Sequence, residues 1–377
     1  MKILLTDGGL KHTLAALRYL SFKGHEVSVL GNNRACSRFS RYVNRYICYN
    51  PQSNFGIEHY CSVLLEEIRK HKYDLLIPIG SWSVECVSKY AEQINHYTKT
   101  IVADNKKIRM ALNKRLSHDF VASIGVPVPT TFFPQKIEEI ESFSAKVKYP
   151  VVIKAIMETG GSIVDYAYDQ SDLQNKYNLM CRENSFSTDN LPMLQEYIDG
   201  TGWGFFALYQ NGVCKQVFMH RRIREFPPSG GFSCCAESVF NEELKYYGLK
   251  ILDHLKWHGI VMVEFRRRRA DNKFFFLELN PKFWGSLELA LASGANFPDL
   301  IARIAAGEES GYSETYNVGL RFHWPLDGDI KHAFKKPAHA GSIIRDCLNP
   351  SVKSNIYFAD PMPVIIQFAQ MLVMLFK

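Results

Sequence analysis

Two neighbouring runs restrict what this chain can fold into more than any other feature: Gly259-Ile260-Val261-Met262-Val263-Glu264-Phe265 and Phe274-Phe275-Phe276-Leu277-Glu278-Leu279-Asn280. Each is rich in β-branched or aromatic residues, so each reads as a strand. The polar link, residues 266–273, contains Asp271-Asn272 and predicts a hairpin. With the turn centred on Asp271, Glu264 falls directly opposite Glu278, and side-chain alternation puts Asn280 on that same face. Two acids facing each other repel, and burying them among apolar neighbours is costly without a cation. Magnesium resolves the conflict, because it takes hard oxygen ligands and is commonly held by few carboxylates together with phosphates. Glu264, Glu278 and Asn280 are therefore the candidate metal ligands. A half-exposed hairpin with outward-facing acids is the competing reading.

A second set of segments supplies what a metal–phosphate site needs. Pro150-Val151-Val152-Ile153-Lys154-Ala155 places a lysine inside an apolar strand, where it needs an anionic partner such as a nucleotide phosphate. Glu158-Thr159-Gly160-Gly161-Ser162 follows, with the flexible backbone and exposed amides of a loop over phosphates. It is not a Walker loop, and an ordinary hairpin turn is the bland alternative. Met193-Leu194-Gln195-Glu196-Tyr197-Ile198 is a strand that stops at Asp199-Gly200, where main-chain groups can meet an adenine edge. His220-Arg221-Arg222-Ile223-Arg224 runs into Pro227-Pro228-Ser229-Gly230-Gly231, and guanidinium forks there suit carboxylate and phosphoryl oxygens. The run 266–269 is also basic, but it sits in the predicted turn and reads as a solvated hairpin tip.

The first hundred residues alternate strand and helix: strands near 2–6, 26–30, 74–79 and 100–103, helices near 14–20, 60–71 and 81–94. That order implies a parallel sheet covered by helices. Asp7-Gly8-Gly9 lacks the G-x-G-x-x-G pattern, so it reads as a tight turn or part of an acceptor pocket. Nine cysteines without a Cys-x-x-Cys pair argue against a disulfide framework or zinc site and fit a reducing, cytoplasmic setting. Met1 leads straight into the first strand, so no signal peptide is expected. A formal charge of +7 suits an anionic substrate and does not by itself imply nucleic-acid binding.

Taken in order, the lysine-bearing helix at Lys114, Val-Ile-Lys, the glycine loop, Gln-Glu-Tyr-Ile, Val-Glu-Phe and Leu-Glu-Leu-Asn-Pro resemble the ATP-grasp superfamily. The likeness covers nearly the whole chain and is to the carbamoyl-phosphate-synthase-like branch of short, single-unit carboxylate–amine ligases. It implies a mixed α/β and α+β architecture. An N-terminal parallel-sheet domain takes residues 1–104, and a small grasp subdomain with the glycine loop takes 105–195. A second grasp subdomain with the metal hairpin takes 196–311, and a C-terminal extension takes 312–377. By that resemblance Lys114 and Lys154 contact ATP phosphates, and Gly160, Gly161 and Ser162 form a lid. Glu196, Tyr197 and Ile198 hold adenine largely through backbone, while Glu264, Glu278 and Asn280 hold magnesium or manganese, as two ions. Arg222 faces the transferred phosphoryl group, with Arg221 able to exchange roles with it. Arg224, Gly230 and Gly231 face the substrate. Relatives commonly carry Asn-Pro-Arg, and here Lys282 stands in the arginine position, keeping charge but losing bidentate geometry. Thr201-Gly202-Trp203-Gly204 offers no acid for a ribose.

The implied reaction activates a carboxylate as an acyl phosphate and couples it to an amine or thiol, releasing ADP and phosphate. Such chemistry needs charge neutralisation and in-line positioning more than a nucleophilic side chain. The sequence offers lysines, arginines and acids, and no serine or cysteine in a nucleophile motif. Two other readings stand beside it: a nucleotide-binding sensor or scaffold of the same fold, and a basic nucleic-acid-binding protein. The apolar stretch 364–376 is too short to span a bilayer. It either packs on the body or a second subunit of a homodimer, or lies on a membrane surface.

Overall fold

The computed structural model describes residues 1–50, 56–157, 163–188 and 190–375. The chain forms two compact units, both discontinuous in sequence. Unit 1 comprises Met1–Ile108, Gly202–Met262 and Pro281–Lys377; unit 2 comprises Arg109–Thr201 and Val263–Asn280. The sequence had suggested four consecutive segments. The units instead cut through two long strands, Gly200–Gln210 and Gly259–Arg268, whose residues are shared out between them.

In unit 1 the N-terminal sheet is parallel, in the order Arg45–Cys48, Glu26–Gly31, Lys2–Leu5, Leu75–Ile77. Its strands carry Ile3, Leu5, Val27, Val29, Leu75 and Ile77 into one core with Leu14, Leu17 and Leu20 of the helix Lys11–Phe22. Covering such a sheet with helices is what the alternating order requires. Two details differ from the sequence reading. Residues 100–103 make a single isolated bridge, Val102 with Gly259, next to another between Lys99 and Leu75, so the fourth expected strand is not built. The helix expected over 81–94 is two, Ser81–Lys89 and Ala91–Asn95, separated at Tyr90.

Unit 1 also holds a largely antiparallel sheet in which Gly200–Gln210, Val213–Phe226, Phe232–Ser238, Arg321–His323 and Val352–Ser354 follow one another. The last pair is parallel. The C-terminal residues therefore extend a sheet and end in the helix Pro361–Leu375. One side of that helix meets the 3-10 turn Cys36–Phe39, where Gln370 Nε2 donates to the Arg34 carbonyl at 2.7 Å and Met371 is buried. Asp360, just before it, is fixed by Arg18 Nε, Ser40 Oγ and the Arg41 amide at 2.9, 2.7 and 2.9 Å. Among the described residues no helix is long and apolar enough to cross a membrane.

Unit 2 is built on an antiparallel sheet ordered Thr131–Phe132, Met193–Glu196, Val151–Lys154, Val164–Ala167. The helix Gln170–Glu183 lays Leu173, Tyr177, Met180 and Cys181 against Val151, Ile153, Ala167 and Leu194. Its N-terminus is capped by the Asp169 carboxylate, which accepts from the Asp172 amide at 2.8 Å. The strand Phe274–Asn280 lies beside Gly259–Arg268 and completes the unit with the helix Lys114–Ser123.

Candidate functional site

Lys154 ends the strand Val151–Lys154, flanked on both sides by neighbouring strands. Its Nζ donates to Gln195 Oε1 at 2.8 Å, and Gln195 in turn donates to Thr131 Oγ1 at 3.1 Å. Burial pushes the ammonium down to about 8; Glu278 and Glu264 oppose that shift, while Lys114 and Arg266 reinforce it. An ammonium whose hydrogen bond among the described residues goes to a neutral amide has capacity left for an anion.

Glu278 is the pivot of this cluster. Its Oε1 accepts from Asn280 Nδ2 at 2.8 Å, and its Oε2 lies 3.6 Å from Lys114 Nζ. Glu278 and Asn280 thus share a face, as strand alternation predicts. Lys114 is placed by its helix terminus: Asn113 caps that helix by accepting from the Arg115 and Leu116 amides at 3.0 and 3.1 Å. The Lys114 amide itself donates to the Ile156 carbonyl at 2.9 Å, tying the helix start to the end of the Lys154 strand.

The hairpin closes differently from the sequence reading. The Arg268 amide donates to the Lys273 carbonyl and the Asn272 amide to the Arg268 carbonyl, both at 2.9 Å, with Asn272 at φ 60°. The loop is residues 269–272, so its centre lies between Ala270 and Asp271 and not on Asp271. Across the hairpin the Phe265 ring lies 6.4 Å from that of Phe274 and 6.2 Å from that of Phe276, centroid to centroid. What joins the two acids is Lys154, whose charge both of them favour.

The segment assigned to adenine is partly engaged within the protein. The Glu196 amide donates to the Thr130 carbonyl at 2.8 Å, and the Glu196 carboxylate accepts from the Thr130 amide at 3.2 Å. Arg266 Nε donates to the Ile198 carbonyl at 2.7 Å, and its guanidinium lies 5.4 Å from the Tyr197 ring centroid. Arg266 is therefore a member of this site that the sequence reading had left in the hairpin tip. Only the rest of the basic run matches a tip: Arg268 pairs with Asp271, and Arg269 with Asp199, both at the surface. Gly200 is required here, because a Cβ would sit 1.9 Å from the Arg267 carbonyl oxygen. Gly160, Gly161 and Ser162 lie outside the described residues.

As a place for a metal, the cluster offers two carboxylates and one amide oxygen. Among the described residues no three of histidine, cysteine, aspartate or glutamate gather as a closed metal site. That fits magnesium better than zinc, because magnesium is usually completed by water and phosphate and not by a protein cage. The neighbouring cations Lys114, Lys154 and Arg266 outnumber the acids Glu264 and Glu278, which leaves room for a polyanion.

The other residues singled out from sequence belong to unit 1. Arg222 Nη1 donates to Glu225 Oε1 at 3.1 Å and to the Gly231 carbonyl at 2.8 Å, so it braces the Gly230-Gly231 turn. Gly231 itself admits no side chain: a Cβ would lie 2.1 Å from the Phe226 carbonyl oxygen. Lys282 Nζ donates to Ser81 Oγ at 2.7 Å, at the start of the helix Ser81–Lys89. Arg221 pairs with Glu237 at the surface. Arg224 is a correction. It is buried, with Nε and Nη2 forked onto Asp329 at 2.7 and 2.9 Å and Nη1 on Asp346 at 2.5 Å. His323 Nδ1 adds a contact to Asp329 at 2.9 Å. All three guanidinium nitrogens are committed to internal acids, so Arg224 ties the C-terminal residues to the sheet and does not face a substrate.

Residues 113–201 match the family model described as carbamoyl-phosphate synthase L chain, ATP binding domain. The N-terminal section of the carbamoyl phosphate synthase large chain of Methanopyrus kandleri is 28% identical over 196 residues, covering 50% of this chain and 34% of that protein. The chain thus spans about a third of that curated relative. Among solved structures, the biotin carboxylase domain of the Hydrogenobacter thermophilus 2-oxoglutarate carboxylase superposes with a TM-score of 0.67 at 16% identity, over 85% of this chain and 73% of that one. An L-amino acid ligase from Bacillus licheniformis superposes with a TM-score of 0.63 at 16% identity, over 82% and 75% of the two chains. The matched segment contains Lys114, Lys154 and the strand Met193–Glu196 with the Tyr197-Ile198 that follows, three of the pieces on which the sequence resemblance rested. The chain has the ATP-grasp fold and resembles the carbamoyl-phosphate-synthase-like branch of that superfamily.

Proposed function

We propose that this protein is an ATP- and magnesium-dependent ligase that activates a carboxylate and couples it to an amine. The observation that supports the reading is Lys154: an ammonium lowered by burial and favoured by Glu278 and Glu264, in the segment that matches a carbamoyl-phosphate synthase ATP-binding domain. The solved relative from Hydrogenobacter thermophilus is described as a complex with MgADP, which supports the same ligand here.

In this reading Lys154 and Lys114 bind nucleotide phosphates, and Tyr197 with the backbone around Glu196 and Ile198 receives adenine. Arg266 holds that backbone through the Ile198 carbonyl. Glu264, Glu278 and Asn280 hold magnesium, which when bound neutralises phosphate charge and orients the terminal phosphoryl group. For Glu278 to serve the metal, Lys114 leaves it for the nucleotide, an exchange that their loose 3.6 Å separation allows. A carboxylate oxygen of the substrate then bonds to the terminal phosphorus as the bond to ADP breaks. The amine nitrogen bonds to the activated carbonyl carbon, phosphate departs, and the amine gives up a proton. Arg222 and Lys282 are assigned to phosphoryl and intermediate charge, with Gly230 and Gly231 shaping the substrate loop.

The test is phosphate release with ATP and magnesium, screened over carboxylates and amines in pairs. Release that requires both partners, and that Glu278→Ala abolishes, is the expected result. Undiminished release in Glu278→Ala overturns the metal assignment, and nucleotide binding without release for any pair leaves only the binding protein of the same fold.

A further inference from the structure

The helix Pro361–Leu375 is seated on unit 1 by one side only. Pro363, Gln367 and Met371, spaced by four, turn toward the body: Pro363 and Met371 are buried and Gln367 is half-buried. The opposite side carries Met362, Ile365, Phe368, Leu372 and Val373, all exposed, with Ile365 at 55%. Spacings of three and four place these side chains on one stripe. The helix contains no charged residue. Just ahead of it Phe358 is 90% exposed. Single exposed apolar side chains are ordinary, but a stripe along a helix, continued by a nearly bare phenylalanine, is a contiguous patch of the kind that marks an interaction surface.

The charge beside this stripe is of one sign. The segment 34–41 runs along the helix: the Arg41 amide donates to Asp360 Oδ1 at 2.9 Å at the helix start, and the Arg34 carbonyl accepts from Gln370 Nε2 at 2.7 Å in its later turns. Arg34, Arg38 and Arg41 are exposed, and residues 32–44 contain no acid. The C-terminal residues continue the imbalance. Between 331 and 375 the acids are Asp346 and Asp360, each buried against an arginine. Lys335, Lys336, Arg345 and Lys353 of the same stretch are exposed. The stripe is also firmly presented. Asp360 accepts from Arg18 Nε and Ser40 Oγ at 2.9 and 2.7 Å, and the Arg18 guanidinium stands 5.0 Å from the Tyr357 ring centroid.

We propose that the helix Pro361–Leu375, with Phe358 and the arginines of segment 34–41, docks unit 1 on the surface of an anionic phospholipid bilayer. Fifteen residues rise about 22 Å, too short to cross the hydrocarbon and suited to lying in the interface. There the stripe enters the upper acyl region while the guanidinium groups stay among headgroup phosphates. A helix lying in the interface ordinarily brings its own lysines and arginines; here the neighbouring turn supplies them. Apolar burial and attraction to anionic lipid act together, as peripheral binding requires. A second copy of the chain is the competing occupant, and charge disfavours it. A two-fold contact through the stripe would bring the two sets of arginines toward each other. The docking does not depend on the reaction that the nucleotide unit performs.

The test is co-sedimentation of the full chain with vesicles of phosphatidylcholine, alone or mixed with phosphatidylglycerol, at low and high salt. Binding to the mixed vesicles, little binding to phosphatidylcholine alone, and release by salt are expected. The double variant Ile365→Ser, Phe368→Ser should lower the partition coefficient about tenfold or more. Arg38→Ala should lower it about fivefold, the factor for one cation at such a surface. Tyr246→Ser, which removes a 57% exposed aromatic from the helix Glu242–His254, should leave it unchanged. Melting temperatures and MgADP binding, read on the same samples, should match the natural chain and so separate loss of the surface from loss of the fold. If the serine pair lowers the melting temperature, the Arg38→Ala ratio decides alone. No binding to mixed vesicles, equal binding by a folded serine pair or by Arg38→Ala, or equal binding to phosphatidylcholine alone each overturns the proposal. So does self-association of the free protein that the serine pair abolishes, because the stripe then belongs to a second copy.

Discussion

Replacing Lys154 by methionine tests the reasoning about the nucleotide unit without knowledge of the substrates. The folded protein lowers this lysine from 10.5 to about 8, so carrying its charge costs the fold about 3 kcal/mol. The folded value lies below the unfolded one. The penalty is therefore complete below pH 8, shrinks between pH 8 and 10.5, and is absent above. Lys154→Met removes the penalty but leaves Gln195 Oε1 without its donor, which costs about 1–2 kcal/mol. The variant should be about 1–2 kcal/mol more stable than the natural protein at pH 7, and should lose that advantage above pH 10. It should also bind MgADP much more weakly, because the charge that destabilises the fold is the charge that meets phosphate. Denaturant titrations at the two pH values and calorimetry with MgADP measure both effects. Between pH 8 and 9 the natural protein should take up a proton on binding nucleotide, visible as a dependence of the heat on buffer ionisation. A variant that is less stable at pH 7, or that binds MgADP as tightly as the natural chain, refutes the account.

Arg224→Ala should destabilise unit 1 by about 3–5 kcal/mol, seen as a large drop in melting temperature, because Asp329 and Asp346 would be left buried without their cation. A stable Arg224→Ala protein with lost substrate affinity would restore the substrate role that the structure removes. Arg266→Ala frees the Ile198 carbonyl and exposes Tyr197, so nucleotide affinity should fall several-fold in an ADP titration while the melting temperature changes little. Equal affinity would show that the backbone at Ile198 needs no such brace. Gly200→Ala forces a Cβ into the Arg267 carbonyl and should lower the melting temperature sharply, whereas an unchanged value would mean the hairpin moves aside freely.

The hairpin of Gly259–Arg268 and Phe274–Asn280 was legible because its pattern is local: two apolar runs with a polar turn between them. The closure of its loop was not, because Asn272 takes up the left-handed conformation and closes residues 269–272, which a count centred on Asp271 does not foresee. Lys154 was legible for the same local reason, as a charge inside an apolar strand. Arg224 was misread because its partners lie 105 and 122 residues further along, and nothing in its own neighbourhood announces them. Lys11 and His12 gave no signal at all. The surroundings of Lys11 depend on Trp324, Phe232 and Gly285 arriving from distant parts of the chain. The strand Arg45–Cys48 escaped notice because it is the edge of its sheet, half-buried and mixed in character, with no alternation to count.

The most direct test of the central claim is whether Glu278 makes nucleotide binding depend on magnesium. Calorimetric titration of ADP into the full chain, with and without magnesium, should show markedly tighter binding when the ion is present. In Glu278→Ala the magnesium enhancement should vanish while metal-free ADP still binds through Lys114 and Lys154. The same enhancement in the variant as in the natural protein would contradict the assignment of this hairpin as the metal site.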